Sequence, residues 1–115
     1  MSPNRASTSR HAAPVFAALG DTTRLSLVRR LSTEGPLSIT RLSEGHDMTR
    51  QAITRHLDAL QKAGLVRDAW AGRERVFSLD LKRLEIARQY LDHVSAHWDA
   101  AAARLKAFVE VGEEK

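Results

Sequence analysis

From residue 84 onward, apolar side chains return at a spacing that alternates between three and four. Leu84, Ala87, Leu91, Val94, Trp98, Ala101, Leu105 and Phe108 form two interleaved seven-residue series. Such a run draws one continuous apolar seam along a helix, the pattern by which helix packs on helix. The spacing predicts a single helix from Leu81 to about Val109, roughly 37 Å long at a rise of about 1.5 Å per residue. A compact body of this chain's size has a radius of gyration of only about 13 Å. The helix therefore outruns its own domain, and a second copy is the simplest cover for its seam. Residues 81–110 are read as a C-terminal dimerisation helix with those eight residues at the interface, and 111–115 as a tail.

Ahead of that helix the chain reads as a series of short capped helices. Val15, Phe16, Ala18 and Leu19 mark the first, with Pro14 in its first turn and Gly20 as the break. Asp21 can cap a second helix whose buried face is Leu27, Val28 and Leu31, closed by Gly35 and Pro36. Ser38 caps a third, Ile39 to Glu44, and Gly45 to Asp47 form a turn. Thr49 caps a fourth, Arg50 to Ala63, ended by Gly64, with Ala52, Ile53, Leu57 and Leu60 at helical spacing. After Gly64 the period changes. Leu65–Trp70 and Arg73–Leu79 read as two strands around a tight Ala71–Gly72 turn, although Val76–Phe77 breaks the alternation.

The fold class that follows is mainly α with a small β-hairpin: a winged helix-turn-helix of order α-α-α-α-β-β-α with a long terminal helix. Residues 11–80 form the DNA-binding part, and 1–10 are expected to be a flexible basic tail. The charge distribution agrees with a polyanionic partner for the body. Residues 1–83 carry 14 Lys/Arg against 8 Asp/Glu, whereas 84–115 carry 4 against 6.

Double-stranded DNA is the partner that the Arg50–Ala63 helix suits. A reading helix enters the major groove with its N-terminal residues at the base edges. It needs a cap, a buried inner face, and donors on the outer face of its first two turns. Thr49 supplies the cap. Arg50, Gln51, Thr54 and Arg55 lie off the apolar stripe and carry the donors that pair with guanine, adenine and phosphate. At the hairpin, Arg73 and Arg75 flank Gly72 and can set guanidinium groups on the backbone or in the minor groove. Arg29 and Arg30 read as a solvated helix face.

Three segments resemble the ArsR family of bacterial regulators: FAALGDTTRL at 16–25, HDMTRQAITRHL at 46–57 and LQKAGLV at 60–66. They occur in order and at the family's distances, covering about residues 12–80. The resemblance implies a homodimer formed by the first and last helices, binding an operator near its own promoter as a repressor. It places Thr49, Arg50, Gln51, Thr54 and Arg55 on the reading helix, and Gly72, Arg73 and Arg75 on the wing. His46 departs from the family pattern, which more often has a bulky apolar residue there. Well-known members sense metals through cysteines in the stretch equivalent to Leu37–Glu44, and this chain has no cysteine.

Other chemistries find little support. His93 and His97 stand one helical turn apart and could share a metal ion, but a tetrahedral site needs further ligands; no cofactor is expected. Ser, His and Asp residues lack a loop context that activates a nucleophile, and there is no Gly-rich phosphate loop, so an enzyme is not expected. No run of 18 apolar residues suggests a membrane span, and Met1–Arg10 lacks the apolar core of a secretory signal. With the absence of cysteine, this points to the cytoplasm. Two other readings remain: a winged helix that binds only proteins, and a histidine-based metal sensor of the same family. The sequence names no effector ligand.

Overall fold

The computed structural model describes residues 5–113. Its order is α1 (Arg5–Leu19), α2 (Thr22–Glu34), β1 (Leu37–Ser38), α3 (Ile39–Ser43), α4 (Arg50–Lys62), β2 (Val66–Ala71), β3 (Glu74–Leu79) and α5 (Leu81–Glu113). This is the expected winged helix-turn-helix with one added strand. The two residues of β1 pair with β3, Leu37 opposite Phe77 and Ser38 opposite Val76, so the sheet is three-stranded and antiparallel in the order β1-β3-β2. The addition also accounts for the irregular Val76–Phe77 pair. Phe77 points into the core and is fully buried. Val76, on the opposite face, is half-shielded because β3 is the central strand, with Ser38 on one side and Ala69 on the other.

Helix ends follow the capping chemistry of the sequence. Asp21 accepts a hydrogen bond from the Arg24 N–H at the start of α2. Ser38 does the same for Arg41 in α3, and Thr49 for Ala52 in α4. Each cap satisfies one of the backbone donors that a helix start leaves free. Gly64 follows α4 with φ 78°, and a Cβ there would lie 2.9 Å from Arg83 Cγ. Both facts favour glycine, because the left-handed region is costly for a side chain.

The core joins these elements. Leu27 and Leu31 of α2, Ile39 and Leu42 of α3, Ile53, Leu57 and Leu60 of α4, and Val66 and Phe77 of the hairpin are buried together. Val15 and Ala18 of α1 and Ala87 of α5 close it from the other side. The Phe16 and Tyr90 rings meet edge to face with centroids 5.8 Å apart, tying α1 to α5. α5 continues past that contact to Glu113, and the molecule measures 73 × 37 × 20 Å with a radius of gyration of 19.7 Å.

Four expectations are corrected. α1 begins at Arg5, so residues 5–10 are helical and only 1–4 of the expected tail lie outside the described residues. Pro14 therefore sits inside a helix rather than in its first turn; burial of Ala12 and Val15 on either side of it outweighs the missing N–H. The hairpin turn is Gly72–Arg73, one residue later than expected, with Gly72 at φ 65° in its first position. Lastly, α5 continues to Glu113, past the expected end at 110, and residues 114–115 of the expected tail lie outside the described residues.

Candidate nucleic-acid interface

α4 is two-sided. Ile53, Leu57 and Leu60 are fully buried on its inner face. Arg50, Gln51 and Arg55 stand exposed on the outer face. Thr49 holds the first turn, its Oγ1 accepting from the Ala52 N–H at 3.0 Å. Thr54 is half-exposed, and its hydroxyl donates back to the Arg50 carbonyl at 2.9 Å. Its oxygen can still accept, but its proton is used within the helix. The start of α4 thus presents free backbone N–H groups and two arginines in one place, the setting that favours a phosphate or an acceptor-rich base edge.

At the hairpin the two arginines part company. Arg73 occupies the turn and is exposed. Arg75 folds back, with Nε 2.6 Å from Asp68 Oδ2, one Nη 3.5 Å from Asp58 Oδ1 and 3.4 Å from Gln61 Oε1, and its guanidinium over the Phe77 ring. Gln61 Nε2 also donates to Asp68 at 2.7 Å. The hydrogen bond from Arg75, followed by that from Gln61, holds the Asp68 carboxyl below its ordinary pKa. Arg75 is raised in turn, chiefly by Asp68. This cluster ties the wing to α4, so the Arg75 guanidinium, expected on phosphate, is engaged within the protein.

Two further arginines have parts that sequence spacing did not reveal. Arg30 donates to the carbonyls of Leu42 and Glu44, each at 3.3 Å, and pairs with Glu34 at 3.2 Å. It joins α2 to the end of α3 and is not a solvated residue. Arg24 donates through Nε to the Ala18 carbonyl at the end of α1, while its Nη1 lies 3.4 Å from His56 Nδ1 on α4. Asp21 Oδ2 is 3.6 Å from the same imidazole nitrogen, and the Arg24 backbone N–H holds the Asp21 carboxyl below its ordinary pKa. These links span distant parts of the chain, and only their position in the motifs hinted at them.

The sequence reading singled out the arginines of the wing as DNA contacts, and not Trp70. It is 69% exposed on β2, directly opposite Arg75.

The eight seam residues divide. Ala87 is buried in the chain's own core and Leu84 packs against it, so the first turns of α5 are covered from within. Ala101 is half-buried. Leu91, Val94, Trp98, Leu105 and Phe108 are between 45% and 78% exposed. The His93 and His97 rings lie with centroids 4.6 Å apart, tilted 58° to each other, and His97 Nδ1 lies 2.9 Å from the His93 carbonyl. Among the described residues, no three His, Cys, Asp or Glu side chains are grouped to hold a metal ion, and no helix is long and apolar enough to cross a membrane.

Comparison with known proteins agrees with this geometry. Residues 19–69 match a helix-turn-helix domain family. Over 86 residues the chain is 40% identical to the HTH-type transcriptional regulator Rv2034 of Mycobacterium tuberculosis, covering 75% of this chain and 79% of that one. An ArsR-like transcriptional regulator from Rhodococcus sp. RHA1 superposes with a TM-score of 0.71 at 35% identity, over 88% of this chain and 94% of the other. A second crystal structure, of an ArsR family transcriptional regulator, shares the fold with a TM-score of 0.72 at 24% identity, over 86% of this chain and 97% of that one.

Proposed function

The chain belongs to the ArsR family of helix-turn-helix transcriptional regulators and is a DNA-binding transcriptional regulator, and from that premise we propose that it acts as a cytoplasmic homodimeric repressor on a palindromic operator. The observation that carries this reading is the outer face of α4. Arg50, Gln51 and Arg55 are exposed beside a capped helix start whose opposite face is locked in the core. A helix so held can reach into a major groove without moving, and its donors match base edges and phosphates. Arg73, at the tip of the wing, adds a backbone or minor-groove contact. Residues 11–80 are then the reading unit, and α5 joins two of them.

The exposed seam on α5 supports the dimer. Five large apolar side chains in one stripe are 45–78% exposed among the described residues, and a copy of the same stripe would bury them by the symmetric contact common in homodimers. Two reading helices would then meet successive major grooves on one side of the duplex, with half-sites about one helical turn, or a multiple, apart. No catalytic role is proposed.

The test is fluorescence anisotropy of the purified protein on DNA from upstream of its own coding sequence, beside scrambled DNA, at two salt concentrations. Saturable binding that favours the upstream duplex is the expected result. Equal binding to both duplexes, or none, would remove the operator reading and favour a winged helix that recognises protein.

A further inference from the structure

We propose that Trp70 is a DNA-contacting residue of the wing, laying its indole against a deoxyribose of the operator backbone with its Nε1–H directed to a phosphate oxygen. The inference rests on the DNA-binding reading above and adds an apolar contact to it.

Strand register places the ring. Side chains alternate along a strand, so Val66, Asp68 and Trp70 share one face of β2. Val66 on that face is buried in the core, and Asp68 meets Gln61 of α4. The face therefore looks toward the reading helix. The ties between wing and helix also run in a definite direction. Asp68 reaches Gln61, while Arg75, the cross-strand partner of Trp70, touches Gln61 as well and extends to Asp58, one turn nearer the start of α4. Moving out along the wing is thus moving back along α4 toward its N-terminus. The next turn of α4 after Asp58 carries Arg55 and Thr54. By that register Trp70 lies farther out along the wing than Asp68, on the strand face that meets α4.

Its surroundings favour a nucleotide over more protein. Arg75 opposite it is paired with Asp68 and Asp58, while Arg73 in the adjoining turn is exposed. With Arg75 so engaged, Arg73 is the freer of the two wing arginines, and a 69% exposed indole adjoins the turn that bears it. Tryptophan joins a large apolar face to a single donor, which suits a surface that is apolar on one side and wet on the other. A sugar-phosphate wall is such a surface. The Arg75 clamp fixes the strand that bears the ring, so little freedom is lost when the ring docks.

An apolar contact and an ionic one differ in their response to salt, because only the ionic contact releases counterions. In full-length protein, Trp70→Ala is expected to weaken operator binding about tenfold, at the low end of the loss when alanine replaces an aromatic side chain that stacks on a base, at both salt concentrations. The slope of log affinity against log salt should match that of the unsubstituted protein. Trp70→Phe, which keeps a ring and loses the N–H, should lose less. A DNA-induced change in indole emission should be present in the unsubstituted protein and absent from Trp70→Phe, since Trp98 is the other tryptophan and belongs to the α5 seam.

Unchanged operator affinity in Trp70→Ala, with the unsubstituted protein binding normally, overturns the proposal and leaves the regulator reading intact. A drop in oligomeric mass for Trp70→Ala in the absence of DNA also overturns it, because the ring would then be covered by protein. Failure of the unsubstituted protein to bind its operator overturns both. Trp70 is exposed, so its truncation leaves the core untouched, and an unchanged melting temperature checks this.

Discussion

Arg75 Nε lies 2.6 Å from Asp68 Oδ2, one arginine and one carboxylate on the same face of the hairpin, with Asp58 and Gln61 of α4 within reach of the same guanidinium. The pair fixes the angle between wing and reading helix, and so the spacing between two candidate DNA contacts. Its electrostatics have a definite pH dependence. The Asp68 carboxyl is lower in pKa when folded than when free. The stability it contributes is therefore complete at neutral pH, begins to be lost as pH falls below about 3.9, and is gone below the still lower folded value.

Arg75→Met removes the guanidinium and keeps the bulk over Phe77. Its melting temperature at pH 7 is expected to fall by a few degrees at fixed protein concentration. Its stability should then decline less steeply between pH 5 and acid than that of the unsubstituted protein. Thermal denaturation across that range measures both. Parallel acid limbs would mean that the Asp68 pair contributes nothing to the folded state.

Arg55 is exposed on the outer face of α4, two residues from buried Ile53 and two from buried Leu57. A long side chain on so fixed a base is suited to a base edge. Arg55→Ala is expected to cost about 1–3 kcal/mol of operator binding and to relax preference at one base pair in each half-site. Competition binding with a set of single-base operator variants reads the effect directly. An unaltered preference profile would assign the residue to phosphate instead.

Arg73 sits in the second position of the hairpin turn. Its place at the hairpin tip, outside the reading helix, points to a backbone contact, which carries no sequence information. Arg73→Ala should weaken operator and scrambled DNA alike and reduce the salt slope by about one per wing. Titrations at several salt concentrations distinguish this from Trp70→Ala, for which the slope should hold. A selective loss on the operator alone would contradict the assignment.

The contrast between Arg73 and Arg75 shows what the sequence could and could not reveal. Local chemistry was legible. Asp21, Ser38 and Thr49 cap the helices that their positions predict, and Ile53, Leu57 and Leu60 face inward as their spacing requires. What escaped depends on side chains meeting across long stretches of chain. Arg75 looked like a second wing cation until Asp58 and Asp68 were brought beside it. Arg30 looked solvated, yet the carbonyls it holds are 12 and 14 residues away. The two residues of β1 are too few to show alternation, and without that strand Val76–Phe77 read as a flaw. Leu84 and Ala87 share the heptad with Leu91 and Val94, and only the position of α1 decides which part of the seam is covered from within.

Gly64 illustrates a constraint that is both backbone and packing. Its φ of 78° is unfavourable for any side chain, and a new Cβ would press on Arg83 Cγ at 2.9 Å. Gly64→Ala is expected to lower stability by about 1–2 kcal/mol from the backbone alone, with some addition if Arg83 cannot move. Chemical denaturation measures it. Arg83→Ala in the same chain should recover the packing part and leave the backbone part, and full recovery would show that crowding, not φ, governs the position.

Leu91 and Leu105 are 54% and 65% exposed on α5. In a single chain, an aspartate at either position would remain in water and cost little. In a dimer joined along that stripe, the same carboxylate would be buried without a partner, which is strongly unfavourable. Leu91→Asp and Leu105→Asp should therefore keep the helical content of the fold while light scattering reports the mass of one chain. Operator binding should fall steeply in both, because each reading head then engages a half-site alone and loses the second as a linked contact. Binding to an isolated half-site should be nearly unchanged, since α4 and the wing are untouched. A mass of two chains in both variants would show that α5 is not the joint. A monomer that still binds the full operator as tightly would show instead that DNA recognition does not need the second copy.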